Sequence, residues 1–253
     1  MKFAPILPIY LLSPMLAIGQ NNTVLLTPPA IQTEGSVISY VGFLNALGTR
    51  AVLELIQTGR YQTLRIESRG GEVIAAMEFG SAVFEHQMDV IVSNFCVSSC
   101  ANYIFPAGRT KEIEEGAFVL WHGDARQRNF MEELHKLEYR ENAEAVEQLT
   151  DQERRKLAHF RLDVKIQDAF YSKIGIVGSI ARIGQEIPKP VQLWALPVVS
   201  MVAFGLKDID APPDYGTPPY CQAWVKKYTF RGAVSCLALT NDDILAWQQR
   251  QKE

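Results

Sequence analysis

The sequence predicts an α/β protein: a layered parallel sheet with a helical arm and a small C-terminal tail stapled by a disulfide. Three observations predict it. Strand-like and helix-like segments alternate between Ser36 and Trp121, an order that favours parallel βαβ units in one layered domain. A long charged stretch from Arg126 to Tyr171 then reads as helical. Beyond a proline-rich linker, the last two of four cysteines fall in a short tail.

The chain has 253 residues, of which 47% are hydrophobic and 21% charged, enough for one large domain or two small ones and too apolar for disorder. Its formal net charge of −3 predicts neither nucleic-acid affinity nor attraction to an anionic membrane, since both need a basic surface, and no nucleic-acid partner is expected.

At the N-terminus, Lys2 precedes an apolar run from Phe3 to Ile18, and Ala17-Ile18-Gly19 fits a small-residue cleavage site. Residues 1–19 are therefore expected to be a signal peptide, making the protein exported, either periplasmic or secreted. The competing reading is an uncleaved anchor. The run is short for a span of about 20 residues, and Pro5, Pro8 and Pro14 interrupt it. No stable membrane span is expected after cleavage.

Residues 20–210 form the expected α/β domain. Residues 23–34 read as an extended lead-in, Ser36 to Val41 as a strand, and Phe43 to Gly59 as a helix. Tyr61 to Ser68 is a second strand, ending at Arg69-Gly70-Gly71. Apolar residues at Val73, Ala76, Met77, Phe79, Ala82 and Val83 give Glu72 to His86 the spacing of an amphipathic helix. Val90 begins another strand, Cys96 to Pro106 reads as a turn opening a buried helix, and Ala117 to Trp121 is a strand ending at His122. The charged helical stretch at about 126–171, with a capping box at Thr150 to Glu153, reads either as a solvated face or as an arm that packs against another subunit. Ser200 to Gly205 is a short helix, and residues 211–253 form the extension behind Pro212-Pro213.

The even cysteine count in an exported chain suggests disulfides. Three pairings are possible for Cys96, Cys100, Cys221 and Cys236, and the simplest joins Cys221 to Cys236 and Cys96 to Cys100. A zinc site is disfavoured, because there is no C-x-x-C pair and the four histidines are dispersed.

Catalytic groups in βαβ domains collect at the carboxyl ends of strands, and three features fall there. Gly70-Gly71 would let backbone N–H groups approach a substrate closely; a plain turn is the commoner use of such a pair. In Cys96-Val97-Ser98-Ser99-Cys100-Ala101, a serine at a helix start sits where N–H dipoles favour negative charge; a simple N-cap is its commoner role. His122, neutral near pH 7, is the default base for a serine. His86, His135 and His159 lie in charged helical surroundings and read as solvated-face residues.

The order and spacing of these features resemble the proteolytic subunit of the Clp protease and its relatives in the crotonase superfamily. That family shows a strand ending in S-P-G-G, a serine starting a helix that closes with A-G, and a strand ending in His. Here stand Ser68-Arg69-Gly70-Gly71, then Ser99 with Ala107-Gly108, then His122. The family's A-G glycine lies nine residues beyond the nucleophile, as Gly108 does from Ser99, and this selects Ser99 over Ser98. A weaker match is Phe204-Gly205-Leu206-Lys207-Asp208 against Y-G-L-x-D.

The resemblance implies a layered fold with a helical arm, Ser99 as nucleophile, His122 as base, and Gly71 and Cys100 N–H groups as the oxyanion hole. It implies no cofactor and no metal, a peptide or unfolded protein as substrate, and a homo-oligomer. Two departures stand out. Arg69 replaces the family's proline, and the place of the family's aspartate holds Val191-Gln192-Leu193-Trp194. Either the pair works as a dyad, or Gln192 orients the imidazole, or Asp163 or Asp168 reaches in. The expected activity is that of an exported, ATP-independent serine peptidase. The alternative is a catalytically silent peptide-binding or assembly module on the same fold. An acyl-CoA enzyme of the crotonase type would leave the Ser–His pair unexplained.

Overall fold

A computed structural model describes residues 28–142, 149–228 and 234–250 of the chain. The signal segment 1–19 and the first part of the lead-in lie outside the described residues. Strand β1 (Ala30–Glu34) pairs antiparallel with β2 (Val37–Val41). Helix α1 (Ala46–Gln57) follows, its first turn capped by Asn45, whose side chain accepts from Gly48 N. Then come β3 (Thr63–Ser68), α2 (Val73–Glu85) and β4 (Asp89–Val97). β2, β3 and β4 are mutually parallel, as two successive βαβ crossovers require.

After β4 the chain forms a π-helical turn (Cys100–Ile104) and a 3-10 turn (Phe105–Ala107). Two short strands then share β4. β5 (Lys111–Ile113) pairs with Val90 to Val92, and β6 (Phe118–Leu120) pairs with Phe95 to Val97. The sheet has seven strands in all and is parallel apart from the β1–β2 pair. β5, three residues of which one is exposed, carries no sequence signal long enough to predict it.

The charged stretch is helical, as expected. α3 (Arg128–Asn142) and α4 (Asp151–Ile174) pack through Leu134, Leu137, Leu149 and Leu157, and the Thr150 capping box is present. Ion pairs link the two helices: Lys156 to Glu133, and Arg161 to Glu138 and Glu141. Short helix α5 (Ile183–Glu186), strand β7 (Leu193–Ala195), helix α6 (Val198–Ala203) and strand β8 (Ile209–Asp210) complete the expected domain. No helix of the described residues is long and apolar enough to cross a membrane.

The tail is part of the core. In α7 (Pro218–Tyr228), Tyr220 and Trp224 pack with Tyr215 around the ring of Phe118. β9 (Val234–Cys236) pairs with β7, and α8 (Asn241–Arg250) places Trp247 against Phe204. Both expected disulfides are present, Cys96–Cys100 and Cys221–Cys236.

One close approach fixes the helix layer to the turn after β4. Gly80 on α2 lies directly on the π-turn, and a Cβ there would stand 2.1 Å from the carbonyl oxygen of Tyr103. Gly80→Ala is expected to destabilise the protein by about 1–3 kcal/mol, as overpacking of a tight core does, read from urea denaturation midpoints.

Candidate active site

The ends of β3, β4 and β6 converge. The N–H of Ser98 donates to Leu120 O at 3.0 Å, tying the end of β4 to the end of β6. The β3 end is pressed against the same turn. A Cβ on Gly70 would lie 2.7 Å from the Ser98 Cβ and 2.9 Å from Ser99 N, and Gly70 itself has φ +91. Glycine is required there both for space and for backbone conformation. Gly71 is equally constrained, since a Cβ would lie 2.0 Å from Leu44 O.

The structure brings Ser98, not Ser99, to His122. His122 Nε2 lies 2.7 Å from Ser98 Oγ. Ser99 is buried, and its hydroxyl donates to Gly71 O at 2.8 Å. Ser98 is half-buried and His122 exposed, so this pair is reachable from solvent.

The physical reason is the π-turn. Phe105 N–H bonds to Cys100 O, five residues back, so the turn holds one residue more than an α-helix would. A count of nine back from Gly108 therefore stops one residue short of the serine that meets the histidine. Cys100, expected as an oxyanion donor through its N–H, is the first residue of that turn, and its side chain is fully buried and bonded to Cys96.

Ser98 adopts φ +59. An L-residue with a side chain pays about 1–2 kcal/mol to sit in the left-handed region, and such positions cluster at functional sites. A sharp strand-to-helix turn with its serine in this conformation presents the hydroxyl outward, in the manner of a nucleophile elbow.

His122 carries the geometry of a base. Partial desolvation against the protein holds its imidazole below the ordinary histidine value; the residue's own backbone carbonyl opposes this to a lesser degree. The ring is therefore neutral at pH 7. Nε2, the nitrogen placed on Ser98 Oγ, is positioned to accept the Ser98 proton. The His122 carbonyl also accepts from Gln185 Nε2 at 2.7 Å, and the next one, of Gly123, accepts from Asn102 Nδ2 at 2.9 Å.

Among the described residues, no hydrogen bond joins any of the three expected candidates for a third group to His122. Asp163 pairs with His159 on the same helix at 3.3 Å, and burial raises its pKa. Asp168 forms an ion pair with Arg126. Gln192 is exposed just before β7. The buried carboxylate of the region is Asp124, which no motif in the sequence singles out. It accepts from Arg126 N at 2.9 Å and Gln167 Nε2 at 3.1 Å, and faces Arg182 Nη1 at 3.3 Å. Burial raises its pKa, opposed by Arg182. Gln167 in turn accepts from Tyr103 Oη and Ala125 N. The one signal for it in the sequence is its place two residues beyond His122.

Among the described residues there is no cluster of three or more His, Cys, Asp or Glu side chains able to hold a metal ion. No protein-family model matches the chain, and no curated protein matches it.

The strained serine yields a direct test. Ser98→Gly and Ser98→Ala both remove the hydroxyl, but only glycine relieves the left-handed strain. The glycine variant is expected to be more stable than the alanine variant by about 1 kcal/mol, measured by urea denaturation. Ser99→Gly has no such advantage over Ser99→Ala, because Ser99 has φ −56.

Proposed function

We propose that the chain is a serine hydrolase, acting on peptide or ester bonds through Ser98 as nucleophile and His122 as base. The observation that carries this reading is the 2.7 Å contact between Ser98 Oγ and His122 Nε2, on a solvent-reachable turn whose serine has φ +59.

In this reading the Ser98 oxygen bonds to the substrate carbonyl carbon while its proton passes to His122 Nε2. The negative charge moves to the carbonyl oxygen. The residue following the nucleophile is Ser99, so its N–H, together with that of Gly71, takes the oxyanion role; Cys100 leaves it. The His122 proton then goes to the leaving group, and an acyl-Ser98 ester forms. Water repeats the sequence with His122 as base, releasing the acid and restoring the serine. Neither step requires a cofactor.

The Clp-protease-like identity, the peptide substrate and assembly into homo-oligomers rest on the motif order of Gly70-Gly71, the serine pair and His122. Export rests on the N-terminal apolar run and on the two disulfides, which form and persist in oxidising compartments.

A silent peptide-binding module is the second reading. It is favoured by one observation: Asp163, Asp168 and Asp124 are all engaged away from His122. Removing the orienting carboxylate from a serine protease costs about 10⁴-fold in turnover.

A fluorophosphonate probe separates the two readings. Wild type is expected to be labelled at Ser98, Ser98→Ala not at all, His122→Ala at least about 100-fold more slowly, and Ser99→Ala to remain labelled at Ser98. The wild-type rate is expected to fall on acidification as His122 gains its proton, with a midpoint below the ordinary 6.5. A folded wild type that takes no label at Ser98 leaves the binding module as the better account.

A further inference from the structure

We propose that the Cys96–Cys100 disulfide is a positioning element for the reaction, clamping both ends of the turn on which Ser98 stands so that its hydroxyl stays on His122. This role rests on the Ser98–His122 reading and concerns what keeps that pair in register.

The bridge closes the shortest segment that contains the nucleophile, Cys96-Val97-Ser98-Ser99-Cys100, with Ser98 at its centre. Its two anchors are unlike. Cys96 is held in the sheet on both sides, opposite Ser68 of β3 and Val119 of β6. Cys100 opens the π-turn. Both are fully buried, and their Cα atoms are 5.2 Å apart. Three residues must therefore reverse the chain across a fixed gap. Ser98 does so by entering the left-handed region, and the following turn does so by carrying one residue more than an α-helix.

Both features are unfavourable by themselves. If the anchors could separate, the extra residue would be free to leave the π-turn and Ser98 to relax, turning its hydroxyl away from Nε2. The disulfide forbids that movement. Global stability is a poor explanation for a bond placed here. A cross-link constrains the unfolded chain more as its loop lengthens, and this one spans a sequence separation of 4, against 15 for Cys221–Cys236. The short bridge therefore bears chiefly on local geometry and the long one on the fold.

The test uses the full chain, produced under oxidising conditions, in three forms: wild type, Cys96→Ala/Cys100→Ala and Cys221→Ala/Cys236→Ala. Each is checked for folding by circular dichroism and thermal midpoint. Labelling by a fluorophosphonate is followed at Ser98 and resolved into the limiting rate and the half-saturating probe concentration. A loss of positioning lowers the limiting rate with little change in half-saturation, whereas a general loosening does not separate the two. Opening the 96–100 bridge is expected to cut the limiting rate about 10- to 100-fold, the usual consequence of displacing a reacting group by about 1 Å. Opening the 221–236 bridge is expected to lower the thermal midpoint and leave the limiting rate of the folded protein unchanged. If the alanine pair does not fold, Cys96→Val/Cys100→Ala takes its place, keeping a β-branched side chain in the strand. A folded 96–100 variant labelled at the wild-type limiting rate overturns the proposal while leaving the Ser98–His122 reading intact. A wild type without label at Ser98 removes that reading and this inference with it.

Discussion

The structure depends on one tight reversal, the step from β4 into the buried π-turn. Within it Ser98 is held left-handed, its N–H tied to Leu120 and its carbonyl accepting from Asn102 N. The end of β3 can lie against it only because Gly70 has no side chain. A register irregularity between Ile66 and Ser68 re-aims that strand end, the usual work of a bulge beside a functional site. From the other side, α2 reaches the π-turn only because residue 80 is glycine. The glycines at 70, 71 and 80 are thus explained by packing first. Any catalytic use of Gly71 depends on where that packing puts its N–H.

Much of this is legible in the sequence. The alternation of β2, α1, β3, α2, β4 and β6 tracks the apolar periodicity closely, because each element is long enough to show its period or ends on a turn residue. The order of Gly70-Gly71, the serine pair and His122 is readable for the same reason: each closes a strand. The choice between Ser98 and Ser99 is not. Two adjacent serines differ by one residue of helical register, and the π-turn that adds that residue leaves no mark in composition. Its physical signature is the Phe105 to Cys100 bond, which no residue pattern announces. The last strands are obscured for another reason. β5, β8 and β9 have three residues or fewer, and their pairing is decided by distant partners, as when Ile209 joins Lys111.

The buried network behind His122 is tertiary in the same sense. Asp124, Gln167, Arg182 and Tyr103 come from four separate segments. Each alone reads as an ordinary polar residue. Together they satisfy one another where water is excluded, the condition under which buried polar groups hold a loop in one conformation. The loop they hold is the one that carries His122 and Gly123, and Asn102 and Gln185 grip its two carbonyls directly. The carboxylate of this region therefore serves the backbone of the histidine and not its ring.

That division bears on what a Ser–His pair can do here. In a triad the aspartate has two tasks: it fixes the tautomer and orientation of the imidazole, and it stabilises the imidazolium that forms as the proton arrives. The histidine's own backbone carbonyl, which favours the protonated ring as a hydrogen-bond acceptor does, is the group at hand for the first. Gln185 keeps that carbonyl in place while leaving it a second lone pair. The second task needs a full negative charge, and a neutral dipole supplies only part of it. The partial desolvation that keeps His122 neutral and ready also makes its protonated form more costly. The arrangement consequently favours proton acceptance from a hydroxyl that attacks a reactive centre, where little imidazolium charge has to accumulate. It is weakest for an unactivated amide, whose leaving nitrogen must draw a proton from a fully formed imidazolium. On the proposed reading, chemistry at Ser98 and rapid peptide turnover are thus separate properties, and a neutral acceptor behind the imidazole serves the first better than the second.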